Sequence, residues 1–283
     1  MKCIPFPLAL TTLAAAAQST ISLADRFTWA PNAGWIDFRP SAADGLVVNE
    51  STLSGRAWSP NLGWIYFGNG LQHHYPNTTA GNYGVNLAPD GKLTGFAWCP
   101  NAGWINFEQT HGQPRIDLFT GQISGSAWCP NIGWIAIDVP QSGLRTTTIT
   151  IADTDNDGMG DAWEAREFGN LTAAGAATNA DGDPASDLEE YRAGTLPNNQ
   201  TDWLQIISQS LDPSGQAVTV RFTTSPGRAY RFEFCDDMST GPWTAAGPDS
   251  FAPDAGPVTE RTFAIPPGPR RFFRVTALRP LVP

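Results

Sequence analysis

Leu93-Thr94-Gly95-Phe96-Ala97-Trp98-Cys99-Pro100-Asn101-Ala102-Gly103-Trp104-Ile105 is the phrase that decides the fold, because its second half occurs four times. The copies occupy residues 29–36, 58–65, 98–105 and 128–135, each reading Trp-x-Pro-Asn-x-Gly-Trp-Ile. Proline presets φ at the second position of a turn, asparagine tolerates the third, and glycine takes the left-handed conformation. Each copy is therefore a hairpin whose two tryptophans pair across the turn. Copies two to four carry a lead-in, Leu53-Ser54-Gly55, Leu93-Thr94-Gly95 and Ile123-Ser124-Gly125, which the first copy lacks. With the further hairpin signal at Pro89-Asp90-Gly91, each unit holds about three short strands and the four units about eleven. Residues 25–145 thus form an all-β tryptophan-repeat domain. A closed ring and an open stack both fit. The first copy begins partway through a unit, which favours closure, because the missing strand can come from the other end.

Eight of the eleven tryptophans fill these slots: Trp29, Trp35, Trp58, Trp64, Trp98, Trp104, Trp128 and Trp134. Identical spacing in every copy suits a packed core, since stacked repeats bury a continuous interior. The alternative is a row of exposed indoles on which sugar rings stack by their C–H faces. Cys99 and Cys129 hold the same slot in adjacent copies, where the first two copies have Ala30 and Ser59. A disulfide between them requires the slot to repeat within about 6 Å, and a small residue filling a tight space is the other reading.

The second strong pattern lies in residues 153–190, which hold eleven of the 27 acidic residues and one of the 17 basic ones. Carboxylates this dense repel unless a cation sits among them. Asp153, Asp155, Asp157, Gly158, Asp161 and Glu164 stand at positions 1, 3, 5, 6, 9 and 12 of a twelve-residue loop, the pattern of a calcium loop. Met159, at position 7, offers a backbone carbonyl. A second loop follows, with Asn179, Asp181, Asp183, Asp187 and Glu190 at positions 1, 3, 5, 9 and 12 and Ala185 at position 7. Pro184 replaces its position-6 glycine, and proline cannot reach positive φ, so this turn must be built differently and its site is expected to be weaker. Calcium, bound by six to eight oxygens, is the expected ion.

Residues 150–200 resemble the EF-hand-like calcium repeats of the thrombospondin type 3 and dockerin kind. The resemblance rests on D-x-D-x-D-G-x-x-D-x-W-E, then Phe168-Gly169-Asn170-Leu171, then Leu188-Glu189-Glu190-Tyr191 leading to Gly194-Thr195. It implies a short loop–helix segment whose calcium orders the space between flanking modules, and it implies no catalysis. A dockerin-like docking role is the alternative, though dockerins usually sit at a chain end. The tryptophan repeats are similar to segments of secreted and surface-exposed bacterial proteins, and that likeness carries no activity.

Residues 202–283 alternate with period two. Candidate strands cover 204–211, 217–224, 229–235, 243–246, 259–265 and 271–278, separated by Asp212-Pro213-Ser214-Gly215, Ser225-Pro226-Gly227 and Pro266-Pro267-Gly268. Six strands in this length predict a β-sandwich of the fibronectin or immunoglobulin-like kind. Arg228, Arg231, Arg270, Arg271 and Arg274 read as outward-facing positions on these strands. Residues 1–24 read as a secretory signal, with Lys2 first, an apolar stretch over 8–17, and cleavage before Asp25 or after the alternative Ala15-Ala16-Ala17. A secreted, cell-surface or periplasmic location follows. The net charge of −10 argues against nucleic acid, and no later run of about 20 apolar residues could span a membrane. No nucleophile elbow, HExxH, CxxC pair or phosphate loop is present, so a non-enzyme is expected. Its partners are calcium and a protein or polysaccharide at the cell surface.

Overall fold

A computed structural model describes residues 18–68, 73–139, 143–239, 241–265 and 271–282. The repeat region runs β1 (Ile21–Ala30), β2 (Gly34–Asp37), β3 (Leu46–Val48), β4 (Leu53–Ser59), β5 (Gly63–Tyr66), β6 (Val85–Leu87), β7 (Leu93–Cys99), β8 (Gly103–Asn106), β9 (Arg115–Ile116), β10 (Gln122–Ser124), β11 (Ser126–Cys129), β12 (Gly133–Ala136) and β13 (Leu144–Thr146). Each Pro-Asn-x-Gly turn makes a hairpin, and its tryptophans stand directly opposite, as in Trp29↔Trp35 and Trp98↔Trp104. The turn glycines Gly34, Gly63, Gly103 and Gly133 all have φ between +77° and +85°, as the turn requires. The hairpins join in the order β1-β2-β4-β5-β7-β8-β11-β12, and β12 returns to β1 at Trp29↔Ala136. The ring is a closed eight-stranded barrel.

The asparagine of each turn sews the hairpins together. Asn61 Nδ2 donates to the Ala33 carbonyl at 3.0 Å, Asn101 to Leu62 at 2.9 Å, Asn131 to Ala102 at 2.9 Å, and Asn32 to Ile132 at 3.1 Å. Each amide reaches the preceding turn, and the first turn reaches the last. Four such bonds, at about 1 kcal/mol net each, hold one end of the ring.

Strand alternation settles which residues face in. Ala30, Ser59, Cys99 and Cys129 are fully buried, as are Thr28, Ala57, Ala97 and Ala127 one step along, with Ile36, Ile65, Ile105 and Ile135 opposite. Their neighbours, the tryptophans, must then face out. The indoles lie in cross-strand pairs on the barrel's outer face, with centroids 4.6–5.0 Å apart. Trp35 stays 43% and Trp134 39% exposed. The expectation of a tryptophan core is therefore wrong. A barrel of eight strands leaves an interior just wide enough for side chains to fill, and here small residues and isoleucines fill it. Of the two readings of Cys99 and Cys129, the disulfide fails and the small buried residue holds, as both thiols are free and buried. β8 lies between β7 and β11, so equivalent positions are separated by two strand spacings, about 10 Å, beyond disulfide reach. Each thiol instead faces a turn carbonyl of the preceding copy, Cys99 that of Leu62 and Cys129 that of Ala102.

The lead-in segments pair as a second layer, β3 with β4, β6 with β7 and β9 with β10. Gly55 turns β4 from that layer into the barrel at φ +81°, where a Cβ would lie 2.1 Å from the Gly45 carbonyl oxygen. The first copy has no lead-in of its own. β13 supplies the missing partner from beyond the fourth copy, pairing Ile21↔Thr146 and Arg26↔Leu144. The domain boundary at residue 25 needs correcting. Ser19 Oγ donates to the Leu46 carbonyl at 2.7 Å, Thr20 Oγ1 accepts from the Val48 amide at 2.9 Å, and Ile21 is fully buried in the barrel core. The fold thus includes residues 18–24, and the earlier part of the expected signal lies outside the described residues.

The C-terminal module consists of β14 (Ile206–Leu211), β15 (Ala217–Thr223), β16 (Ala229–Cys235), β17 (Thr244–Ala245), β18 (Val258–Ala264) and β19 (Phe272–Leu278). All six strands expected from the alternation are present, in two three-stranded sheets ordered β14-β15-β18 and β17-β16-β19. Val218, Val220, Phe222, Tyr230, Phe232 and Phe263 form their shared core, with Phe232 stacked on Phe263 at 4.3 Å. Arg231 and Arg274 face polar partners near the surface, whereas the Arg271 side chain is largely buried, over the Phe234 ring and beside Asp236; Arg270 lies outside the described residues. Arg228 does not simply face out: it is half-buried against the end of α2, and the loss of solvent there pulls its guanidinium down to about 10.

The burial of Ile21 gives a direct test. A chain starting at Gln18 is expected to melt like the full chain. A chain starting at Asp25 loses a buried isoleucine and its strand pairing, and should melt about 5 °C lower or more. Equal melting temperatures for the two truncations would remove residues 18–24 from the fold.

Candidate metal centre

Between barrel and C-terminal module lie two loop–helix turns, ending in α1 (Asp161–Glu167) and α2 (Asp187–Ala193). Their helices share a small apolar core. Met159, Trp163, Ala174 and Tyr191 are buried, and Trp163 packs edge-on against Tyr191 at 5.2 Å. Ser186 caps α2 reciprocally with Glu189, and Gly194 ends it at φ +76°.

The first loop brings Asp153, Asp155 and Asp157 together, with one carboxylate oxygen of each lying within 4.8 Å of the others. The second does the same with Asp181, Asp183 and Glu190. Glu164 and Glu190, one turn into their helices, have no exposed surface, and neither carboxylate has a hydrogen-bond partner among the described residues. Asp153 Oδ1, Asp157 Oδ2, Asp181 Oδ2 and Asp183 Oδ2 are likewise buried and unpartnered. Ionised carboxylates stripped of water and left unpaired cost several kcal/mol. Burial, with Asp157, Asp155, Asp161 and Asp153 close by, pushes the Glu164 carboxyl up to about 7. Burial beside Asp183, Asp181, Asp187 and Asp202 pushes Glu190 up to about 8. In the second loop Glu190 converges with Asp181 and Asp183; in the first the three aspartates converge and Glu164 lies near enough to feel their charge. These oxygens are hard donors of the kind a divalent cation of the calcium type takes.

Three of the anticipated side-chain ligands, Asp161, Asp187 and Asn179, make other hydrogen bonds. Asp161 accepts from the Thr154 amide at 2.7 Å and its hydroxyl at 2.6 Å, tying the start of the loop to the start of α1. Asp187 repeats this with the Ala180 amide at 2.9 Å. Asn179 accepts from the Gly182 amide and donates to the Asp183 carbonyl, both at 2.7 Å, so it braces the turn. The Met159 side chain is buried in the apolar core, and its amide donates to Asp157 at 2.8 Å. Ala185 donates likewise to Asp183 at 2.6 Å. The turn around Pro184 keeps the left-handed residue at position 4, Gly182 at φ +78° where the first loop has Asn156 at +61°, and lacks the one at position 6, where the first loop has Gly158 at +96°.

The helices are anchored by residues that no loop pattern indicates. Tyr191 Oη donates to Glu50 Oε1 at 3.0 Å. Arg279 donates to the same Glu50 oxygen at 2.7 Å and to Tyr191 Oη. Arg228 donates to the carbonyls of Tyr191 at 3.0 Å and Arg192 at 2.8 Å, satisfying the end of α2. Glu50 and Arg279 are 229 residues apart, and neither lies in a recognisable motif.

No family model, curated protein or solved structure matches the chain. No helix among the described residues is long and apolar enough to cross a membrane.

The raised carboxyls set a pH dependence. An unfolded glutamate titrates near ~4.3. Between there and about 8 the metal-free fold therefore holds more protons than the unfolded chain. Its stability must fall as pH rises through that window. Scanning calorimetry in chelator is expected to show a lower melting temperature at pH 8 than at pH 5. Millimolar calcium at pH 8 should raise it, and a calcium-free melt that improves toward pH 8 would contradict the carboxylate geometry.

Proposed function

We propose that this is a secreted, non-catalytic protein in which two calcium ions neutralise the acidic segment and stiffen the joint between a β-barrel and a β-sandwich-like module. The modules then adhere to a cell-surface protein or polysaccharide. The observation that carries this reading is the pair of fully buried, unpartnered glutamates, each placed beside a cluster of aspartates. Direct ligands would be Asp153, Asp155, Asp157 and Glu164 in the first site and Asp181, Asp183 and Glu190 in the second. Asp161, Asp187 and Asn179 would hold the loops in shape. Binding of the folded form stabilises by about 2.7 kcal/mol per site at a hundred times Kd.

Calorimetric titration of the full chain with calcium is expected to give two bound ions. Glu164→Gln should abolish the first and leave the second, and Glu190→Gln the reverse. A chain that takes up no calcium would end this reading.

The outward tryptophans favour a second reading, a carbohydrate-binding barrel. Five of the repeat tryptophans are at least 36% exposed, and their pairs recur around the ring. Carbohydrate C–H faces stack on such surfaces. Soluble neutral oligosaccharides should then shift the tryptophan fluorescence, and Trp35→Ala with Trp134→Ala should remove the shift. An unchanged spectrum across a panel of neutral glycans would leave the indoles a packing role only.

A further inference from the structure

We infer that calcium occupancy and the docking of the C-terminal module on the barrel are one coupled equilibrium, transmitted by a clasp of Glu50, Tyr191 and Arg279; this rests on the calcium reading above. The clasp draws one residue from each part of the molecule. Glu50 belongs to the barrel, where its amide donates to the Thr150 carbonyl at 3.0 Å, just ahead of the first loop. Tyr191 belongs to α2 and directly follows Glu190, whose carboxylate faces the second aspartate cluster. Arg279 follows β19 of the C-terminal module, and its guanidinium lies over the Tyr191 ring at 4.8 Å.

Both loops press on this point. Gly160, which opens α1, has no room for a side chain: a Cβ there would lie 2.2 Å from Glu50 Oε2 and 2.8 Å from Tyr191 Oη. Across the gap, a Cβ on Gly158 would lie 3.4 Å from Leu188 of α2. On the far side, Arg228 holds the last carbonyls of α2, so that helix is gripped by the C-terminal module at its side and its end. The Ile149 amide donates to the Leu281 carbonyl at 2.8 Å, closing the contact between barrel and C-terminal segment.

The physical link is short. Without a cation, the carboxylates of the second cluster repel Glu190. Glu190 cannot shift without moving Tyr191, its neighbour in the same helical turn. Moving Tyr191 withdraws the hydroxyl that bonds to both members of the Glu50–Arg279 ion pair and leaves each short of one partner. Coupling of this kind is reciprocal: whatever weakens the clasp must weaken calcium binding by the same factor.

The test uses the full chain, calcium ion alone as ligand, and two variants. Tyr191→Phe keeps the ring in the apolar core and removes one hydroxyl. Arg279→Met removes the cation and keeps the length. Calcium affinity is measured by calorimetry and compactness by small-angle X-ray scattering, each with calcium and with chelator. In the wild type, calcium is expected to lower the radius of gyration. In both variants the second site should bind about tenfold more weakly, and the compaction should shrink or vanish. A wild type that binds calcium with no change in radius overturns the coupling, as do folded variants that bind with wild-type affinity. Should either variant fail to fold, the wild-type scattering comparison still decides. A wild type that binds no calcium fails the calcium reading itself, a separate outcome visible in the first titration.

Discussion

An unpaired strand edge is a row of amides and carbonyls that must find partners, and the barrel depends on having none left around its ring. β1 meets β12 on one layer and β13 on the other, so the chain's first and last repeat strands complete each other. Closure then dictates composition. Eight short strands enclose room for alanines, small polar or thiol side chains and isoleucines, and the period-two pleat sends every indole outward. The turn asparagines act at the same level. They are present in every copy because each spends its amide on the neighbouring turn.

The acidic segment obeys a different constraint. It keeps its carboxylates close by bracing them from the backbone: Asp161 and Asp187 hold the loop starts, and Asn179 holds the second turn. What the backbone does not satisfy is concentrated on Glu164, Glu190 and the nearest aspartate oxygens. Charge left over in this way, in the middle of a joint between two β modules, converts a local ion-binding question into one about the shape of the whole molecule.

Much of this was readable from residues alone. The repeated Pro-Asn-x-Gly turns and the lead-in glycines specify hairpins through backbone preferences that act within a few residues. The truncated first copy favoured a ring but left an open stack standing. The period-two alternation of the C-terminal module gave all six of its strands. The direction of the tryptophans was not readable, because alternation fixes two faces without saying which one closes inward; that depends on how much volume the ring encloses. Nor could the sequence choose between a disulfide and a small buried residue at Cys99 and Cys129, since adjacency in repeat number is not adjacency in strand order. In the loops, spacing located the carboxylates but could not separate the oxygens left without a partner from the braces, a distinction made by which backbone amides each oxygen meets. Arg228, assigned to the surface by alternation, is half-buried because it stands just before β16, where that strand starts against α2. Glu50 and Arg279 carry no local signature at all.

The meeting of β1 with β12 and β13 has a bearing on how the protein comes into being. Residues near Ile21 leave the ribosome early, yet their partners near Thr146 are made more than a hundred residues later. Individual hairpins can form at once during synthesis, each within its own turn. The barrel itself can only shut after the fourth repeat has emerged, so its nascent form is an open ribbon with two adhesive margins. Ring closure over so long a stretch is entropically slow, and it leaves a window in which neighbouring nascent chains compete for those margins.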